Sequence, residues 1–128
     1  MSAKYDIEIT QGTDLIIPFL LEDTSGNKQD LTSYSVKVQI KVSTYSSSFL
    51  DDLSTENGRI KLKEDSLSDQ VNSSGIKPKC IIECSWPNEI TSKFPVGRHV
   101  YELKLISASN FISKILEGNF IVNWGIIK

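Results

Sequence analysis

The sequence predicts an all-β protein that folds as an antiparallel β-sandwich of eight or nine strands. Residues 35–43 show this most clearly, because valine and isoleucine occupy the even positions from 36 to 42 and lysine and glutamine the odd positions from 37 to 41. Successive side chains of a strand point to opposite faces, so this alternation predicts a strand with one buried and one solvated face. The pattern recurs along the chain with turn residues at intervals typical of sandwiches and barrels, and a helical period is almost nowhere seen.

The remaining strands are predicted from alternation and from the turn residues between them. We place them at 5–10, 14–23, 59–63, 77–86, 99–106, 111–116 and 119–124, with a short strand beginning near 50–53. Pro18 lacks a backbone donor, so the strand containing it is expected to be bulged or to lie at a sheet edge. Asn57-Gly58 is predicted to close a hairpin. The serine-rich segment 44–48 is predicted to be a loop, 64–76 a long loop or single helical turn, and 88–93 one turn of helix.

Length, charge and hydropathy exclude several classes of protein. The chain has 128 residues, which suits a single domain spanning 1–128 with a core of its own. A net charge of −2 argues against a nucleic-acid-binding protein, which needs a basic face. No apolar run is long enough for a membrane span, and the amino terminus lacks the apolar region of a secretory signal. We therefore expect a protein that acts where it is made or within an assembly.

The two cysteines are predicted to be buried structural thiols. Cys80 and Cys84 lie in one predicted strand, where four residues span about 13 Å at about 3.3 Å per residue. A disulfide needs Cα atoms within about 7 Å, so the two cannot pair on that strand. Both should point to the same face as Trp86. A zinc site is not expected, because His99 is the only histidine.

No catalytic or cofactor site is predicted. A catalytic histidine needs an orienting acid and a nucleophile, and no sequence neighbour of His99 completes such a group. The acidic pairs Glu22-Asp23 and Asp51-Asp52 lack the spacing of a calcium-binding loop and are predicted to be solvated turn charges. We therefore expect neither an enzyme nor a protein with a metal or cofactor.

Five short motifs occur in a recognisable order. They are QGTD at 11–14, DLTSY at 30–34 before VKVQIKV at 36–42, GRIKL at 58–62, GRHVYELKL at 97–105 and LEGNFIV at 116–122. Their order resembles that of the small Ig-like or baseplate-type β-sandwich domains of tailed-bacteriophage virions. Ser33 stands where that family usually has glycine, and His99 stands where an aromatic residue is common.

The resemblance implies a structural protein of the virion, made in the host cytoplasm, with no active site. It implies partners among other virion structural proteins, several copies in a symmetric assembly, and no binding of nucleic acid or membrane. The tail, baseplate or fibre-attachment region is the expected position. A capsid decoration or neck protein is the alternative within the particle, and a carbohydrate- or receptor-binding module is the alternative of another class.

Apolar residues outside the predicted core mark candidate partner contacts. They are Tyr45 and Phe49 in and beside the serine-rich loop, and Trp124, Ile126 and Ile127 in the apolar tail. Large apolar residues in exposed segments often form contact surfaces. The same aromatics, with Tyr34 and Trp86, are also candidates for stacking on sugar rings, although Trp86 alternates with the cysteines and is predicted to be core. The amino-terminal strand, if at a sheet edge, offers unpaired backbone groups for strand addition.

Overall fold

The computed structural model describes residues 3–21, 30–43, 49–65, 71, 75 and 77–125. Within these ranges the chain forms nine strands and one short helix. In chain order they are β1 (Ala3–Lys4), β2 (Ile7–Thr10), β3 (Leu15–Leu20), β4 (Ser35–Lys41), β5 (Asp51–Ser54), β6 (Ile60–Glu64), β7 (Lys79–Trp86), α1 (Asn88–Thr91), β8 (Gly97–Ile106) and β9 (Ile112–Asn123). The described part of the chain contains no helix long and apolar enough to cross a membrane.

The strands form two sheets that pack face to face. The large sheet has the order β5-β4-β8-β9, and β1 and β2 both pair with β9 in parallel at its edge. The small sheet has the order β3-β7-β6 and is antiparallel throughout. This is the strand arrangement of an Ig-like sandwich, with β3, β7 and β6 in one sheet and β5, β4, β8 and β9 in the other. It has one additional strand, β5, beside β4. The predicted fold class, an Ig-like β-sandwich of eight to nine strands, is confirmed.

Alternating residues of the central strands build the core. In β4, β7 and β8 every second residue is buried, as the sequence pattern predicts. The two sheets meet around Phe120 of β9, whose ring centroid lies 5.5 Å from that of Trp86 on β7 and 5.7 Å from that of Phe94. Trp86 is therefore a core residue rather than part of a sugar-binding platform.

A glycine lets the segment between β1 and β2 lie close against β9 at the edge of the large sheet. Tyr101 of β8 lies opposite Gly118 of β9, and its hydroxyl donates a hydrogen bond to the backbone carbonyl of Tyr5, between β1 and β2. A Cβ atom at Gly118 would overlap that carbonyl group. Next to it, the Asp6 carboxylate accepts a 2.9 Å hydrogen bond from the Asn119 backbone N–H. The Tyr101 ring thus covers the glycine and ties the amino-terminal strand to the sheet.

His99 has a structural role at the corner between the two sheets. It is buried, and its Nε2 lies 2.7 Å from the backbone oxygen of Pro95, four residues earlier in the chain. Because a carbonyl oxygen only accepts, Nε2 carries the proton. Ig domains use a tyrosine hydroxyl near the start of the equivalent strand for a similar bond to upstream backbone. Here the imidazole makes it.

Both cysteines are buried and unpaired on β7, as predicted. The disulfide that joins the two sheets of antibody domains is therefore not formed by these cysteines, because both lie in the same sheet. Burial raises the pKa of the Cys84 thiol to about 12.

Pro18 lies on an edge strand. β3 pairs with β7 and with no other described strand, and its register is continuous from Leu15 to Leu20 without a bulge. The Leu21 N–H donates a hydrogen bond to the Cys80 carbonyl. The backbone N–H groups of the odd-numbered residues of β3 therefore point towards β7, and the backbone nitrogen of Pro18 points to the open edge. Proline at this position therefore removes no hydrogen bond between β3 and β7.

Two predictions about turns and strand limits are wrong. Asn57-Gly58 forms a turn, but not a hairpin, because β5 joins the large sheet and β6 the small one. The Asn57 side chain directs this change of sheet by bonding Ser54 and Arg59 N–H groups and the Asp52 carbonyl. The segments 111–116 and 119–124 are not separate strands, since β9 continues through Gly118. The predicted loop at 44–48 and most of 64–76 lie outside the described residues.

We predict that Gly118→Ala destabilises the protein by about 3 kcal/mol or more, because its methyl group meets backbone that cannot move without breaking the β1–β9 pairing. Urea denaturation would measure the loss. Gly58→Ala is the matched control, since a methyl group there meets nothing within 4 Å and costs only the left-handed backbone strain of about 1 kcal/mol. Equal losses for the two variants would contradict the close approach of the Tyr5 backbone to Gly118.

We predict that neither Cys80 nor Cys84 reacts with a soluble disulfide reagent in the native protein. Both side chains are fully buried, and the raised pKa of Cys84 keeps its thiol protonated at neutral pH. The absorbance of the thiolate released from the reagent should correspond to both thiols in denaturant and to almost none in the native protein. Rapid labelling of the folded protein would show that β7 is open to solvent.

Candidate functional site

The outer face of the large sheet has its charges arranged in rows across the strands. Lys37 of β4 lies opposite Lys104 of β8, which lies opposite Lys114 of β9. We call these three residues the lysine row. One step along the strands, Gln39 lies opposite Glu102, which lies opposite Glu117. We call these the acidic row.

Ion pairs connect the two rows within the chain. Lys114 Nζ lies 2.6 Å from a carboxylate oxygen of Glu117, and this hydrogen bond raises the pKa of Lys114. Lys104 Nζ lies 3.5 Å from Glu102 and 3.2 Å from the amide oxygen of Gln39. The side chains involved are partly open to solvent, so these pairs add little stability. They organise the surface more than they hold the fold together.

A concavity of about 390 Å³ opens beside the acidic row. Its lining combines lysines and carboxylates with apolar atoms of Phe49, Val100 and Gly118. Lys41 Nζ lies 5.0 Å from the centroid of the Phe49 ring, which is a cation–π contact. The concavity is therefore an amphipathic depression in an otherwise regular sheet face.

Two of the predicted contact residues lie at one end of the large sheet. Phe49 is 46% exposed and precedes Leu50, whose N–H bonds to the Ile40 carbonyl near the end of β4. Trp124 is 65% exposed and follows the last residue of β9. β4 and β9 both end on this side of the large sheet, and Val42, the residue after β4, is also exposed. We call Val42, Phe49 and Trp124 the aromatic end. Tyr45, Ile126 and Ile127 lie outside the described residues.

Exposed apolar residues at the opposite end were not predicted from the sequence. Phe111 is 70% exposed and Ile112 is 61% exposed, at the turn between β8 and β9. The Ser107 hydroxyl accepts a hydrogen bond from the Phe111 N–H, and Asn110 takes a left-handed conformation with φ of 65°. The turn-forming Ala108-Ser109-Asn110 segment directly before Phe111 is the sequence signal that could have identified an exposed tip.

The candidate chemical residues have structural partners. The described hydrogen bond of the His99 ring is to the Pro95 carbonyl. Asp51 forms a two-point ion pair with Arg59, at 2.7 Å and 2.6 Å, and so joins β5 of the large sheet to the residue before β6. Glu22 and Asp23 lie outside the described residues. Within the described ranges, no three metal-ligating side chains come together.

Comparisons with known proteins give likenesses among solved structures alone. No protein-family model matches the chain, and no curated protein matches it significantly. Among solved structures, the structure of murine CRIg is similar over 94% of this chain and 92% of that chain. The sequence identity is 11% and the TM-score is 0.39. The Ig-like assignment therefore depends on the strand order described above.

Proposed function

We propose that this chain is a structural or adaptor component of a tailed-phage particle, in the tail, baseplate or fibre-attachment region. It acts by binding other virion proteins. The observation that supports a binding role is the aromatic end, where Val42, Phe49 and Trp124 are exposed on one end of a well-packed sheet. Exposed aromatic residues on a rigid framework are typical centres of protein–protein interfaces.

The motifs that resemble the phage family act as structural determinants. Asp14 of the first motif accepts a 2.6 Å hydrogen bond from the Asn88 N–H at the start of α1. Asp30 of the second accepts hydrogen bonds from Thr32 and from the Lys79 N–H. Gly118 of the last permits the close approach of the amino-terminal strand at Tyr5. Residues in these roles specify a fold, so the motifs support a shared architecture and leave the contact surface to other residues.

The amino-terminal strand supplies a second possible mode of assembly. β1 and β2 lie at an edge of the large sheet, pairing with β9 and with no other described strand. An edge of this kind presents backbone N–H and C=O groups to which a neighbouring chain can add a strand. The open edge of β3 is less suited to this, because Pro18 removes a donor there.

A carbohydrate- or receptor-binding module is the second candidate function. The observation in its favour is the concavity, in which Phe49 lies near the polar side chains of Asn119 and Glu102. Aromatic rings beside amide and carboxylate groups suit sugar hydroxyls and ring faces. Lys41 already lies over the Phe49 ring, however, which leaves less of its face for stacking.

Localisation of the chain in intact particles by cryo-electron microscopy tests the proposal. A ring of copies at the tail or baseplate would support the adaptor role and reveal the partners. Copies on capsid facets or at the neck would support the alternative within the virion. If the chain is missing from purified particles and binds sugars on a glycan array, the virion role is overturned in favour of the second candidate.

We predict that Phe49→Ala and Trp124→Ala each reduce incorporation into particles by about tenfold or more, since truncating a central interface aromatic often costs about 2 kcal/mol. Quantitative mass spectrometry of purified particles would measure incorporation. Leu20→Ala is the matched control, because Leu20 is as exposed as Phe49, at 46%, but lies on the small sheet. Thermal melts should show all three variants folded. Unchanged incorporation of both aromatic variants would remove the aromatic end from the interface.

A further inference from the structure

The charge rows on the large sheet form a pattern that is complementary to itself. In β8, Lys104 and Glu102 are neighbours on the same face, about 6.6 Å apart at two residues of about 3.3 Å each, and Lys37 and Gln39 have the same spacing in β4. In β9, Lys114 and Glu117 are three residues apart because the bulge at Ile115 adds one residue. The lysine row lies towards the β8–β9 turn and the acidic row towards the aromatic end. Two parallel lines of opposite charge therefore run across β8 and β9, while on β4 Lys37 lies beside the neutral Gln39.

The lysine row is unfavourable in a single chain. Like charges directly opposite one another on neighbouring strands repel, and here three lysines are aligned in succession. Glu102 is shared between Lys104 and Lys114. In the described part of the chain, no ion pair involves Lys37. Carboxylates of a second chain above Lys104 and Lys114 would relieve the repulsion at those two positions.

We propose that two copies of this chain associate face to face through the outer surface of the large sheet. The two-fold axis lies between the two rows, in the plane of the interface and perpendicular to the strands. This rotation places Lys104 against Glu102 of the partner subunit and Glu102 against Lys104 of the partner subunit. Lys114 likewise meets Glu117 of the partner subunit. Each unlike pair occurs twice, as in any interface with this symmetry.

The same rotation brings the apolar parts of the surface together. Ile106 and Ile112 lie opposite each other on the outer face, one step beyond the lysine row. The axis places them over the partner's concavity, whose lining includes Val100 and Phe49. An exposed isoleucine and an open depression are then covered at once. Facing sheets pack about 10 Å apart, a separation that lysine and glutamate side chains span.

Packed sheets cross at about 30° because each is twisted, so alignment is best at the centre of the interface. β8 is the middle strand of the three, and Glu102 and Lys104 are its contributions to the two rows. The test therefore uses these residues. Trp124 lies beyond the rows, and its truncation should leave self-association unchanged. Failure of this proposal is thus distinguishable from failure of the proposed virion role.

Sedimentation velocity over a range of concentrations tests the association. We expect the native chain to form dimers that dissociate as salt is raised, because the charge pairs are partly solvated. Lys104→Glu makes both central positions acidic and Glu102→Lys makes both basic, so each variant alone should dimerise at least about tenfold more weakly. Mixed in equal amounts, the two variants should form a heterodimer.

The mixing experiment separates contacts between chains from those within one chain. Ion pairs inside a single chain are lost in both variants and are not restored by mixing, so only contact between subunits can produce the heterodimer. Lys61→Glu is the control, a matched charge reversal at an exposed lysine on the small sheet. If either reversal fails to fold, Lys104→Gln and Glu102→Gln replace the pair and should each weaken the dimer.

Two results would overturn the proposal. One is a native chain that remains monomeric at all concentrations in low salt. The other is a dimer whose stability does not change with Lys104→Glu or Glu102→Lys, which would place the contact on a different surface.

Discussion

The close approach of the Tyr5 backbone to Gly118 is the constraint on which the edge of the large sheet depends. The absence of a side chain there lets the Tyr101 hydroxyl reach the Tyr5 carbonyl across β9. That contact fixes where the amino-terminal strand bends, and it keeps β1 and β2 in one register with β9 on either side of the bend. The Tyr5 ring then packs edge-on against Phe19 of the small sheet, 5.8 Å between centroids. One glycine thereby links the edge of one sheet to the other.

The same register positions the surface on which both proposals depend. β4, β8 and β9 pair over most of their lengths, so residues that are far apart in sequence line up across the sheet. The register shift between Leu103 and Lys104 matters here, because it leaves Ile115 unpaired and brings Lys114 opposite Lys104. Without that bulge the lysine row would be two residues wide. Backbone pairing thus determines the pattern of surface charge.

The residues whose side chains could react or bind a metal instead stabilise the fold. His99 secures a corner, the Arg59–Asp51 pair joins the two sheets, and both cysteines fill the core. On the large sheet, the aromatic end, the apolar tip at Phe111 and the charged face between them are open to solvent. Surfaces of this kind bind by complementary shape and charge. The two proposals use different parts of this surface, and Phe49 is the residue they share.

The local alternation of apolar and polar residues determined where the central strands form and which of their residues are buried. Because the side-chain period of a strand is two, the pattern at 36–42 predicted β4 and its buried residues, and the cysteine strand and the edge position of Pro18 followed from equally local rules. Long-range pairing decided the rest. The local sequence at Asn57-Gly58 is typical of a hairpin, yet β5 pairs with β4 in the large sheet and β6 pairs with β7 in the small sheet. The alignment of Lys37, Lys104 and Lys114 is equally invisible in the sequence, since register between distant strands is set by the packed core and the bulge at Ile115.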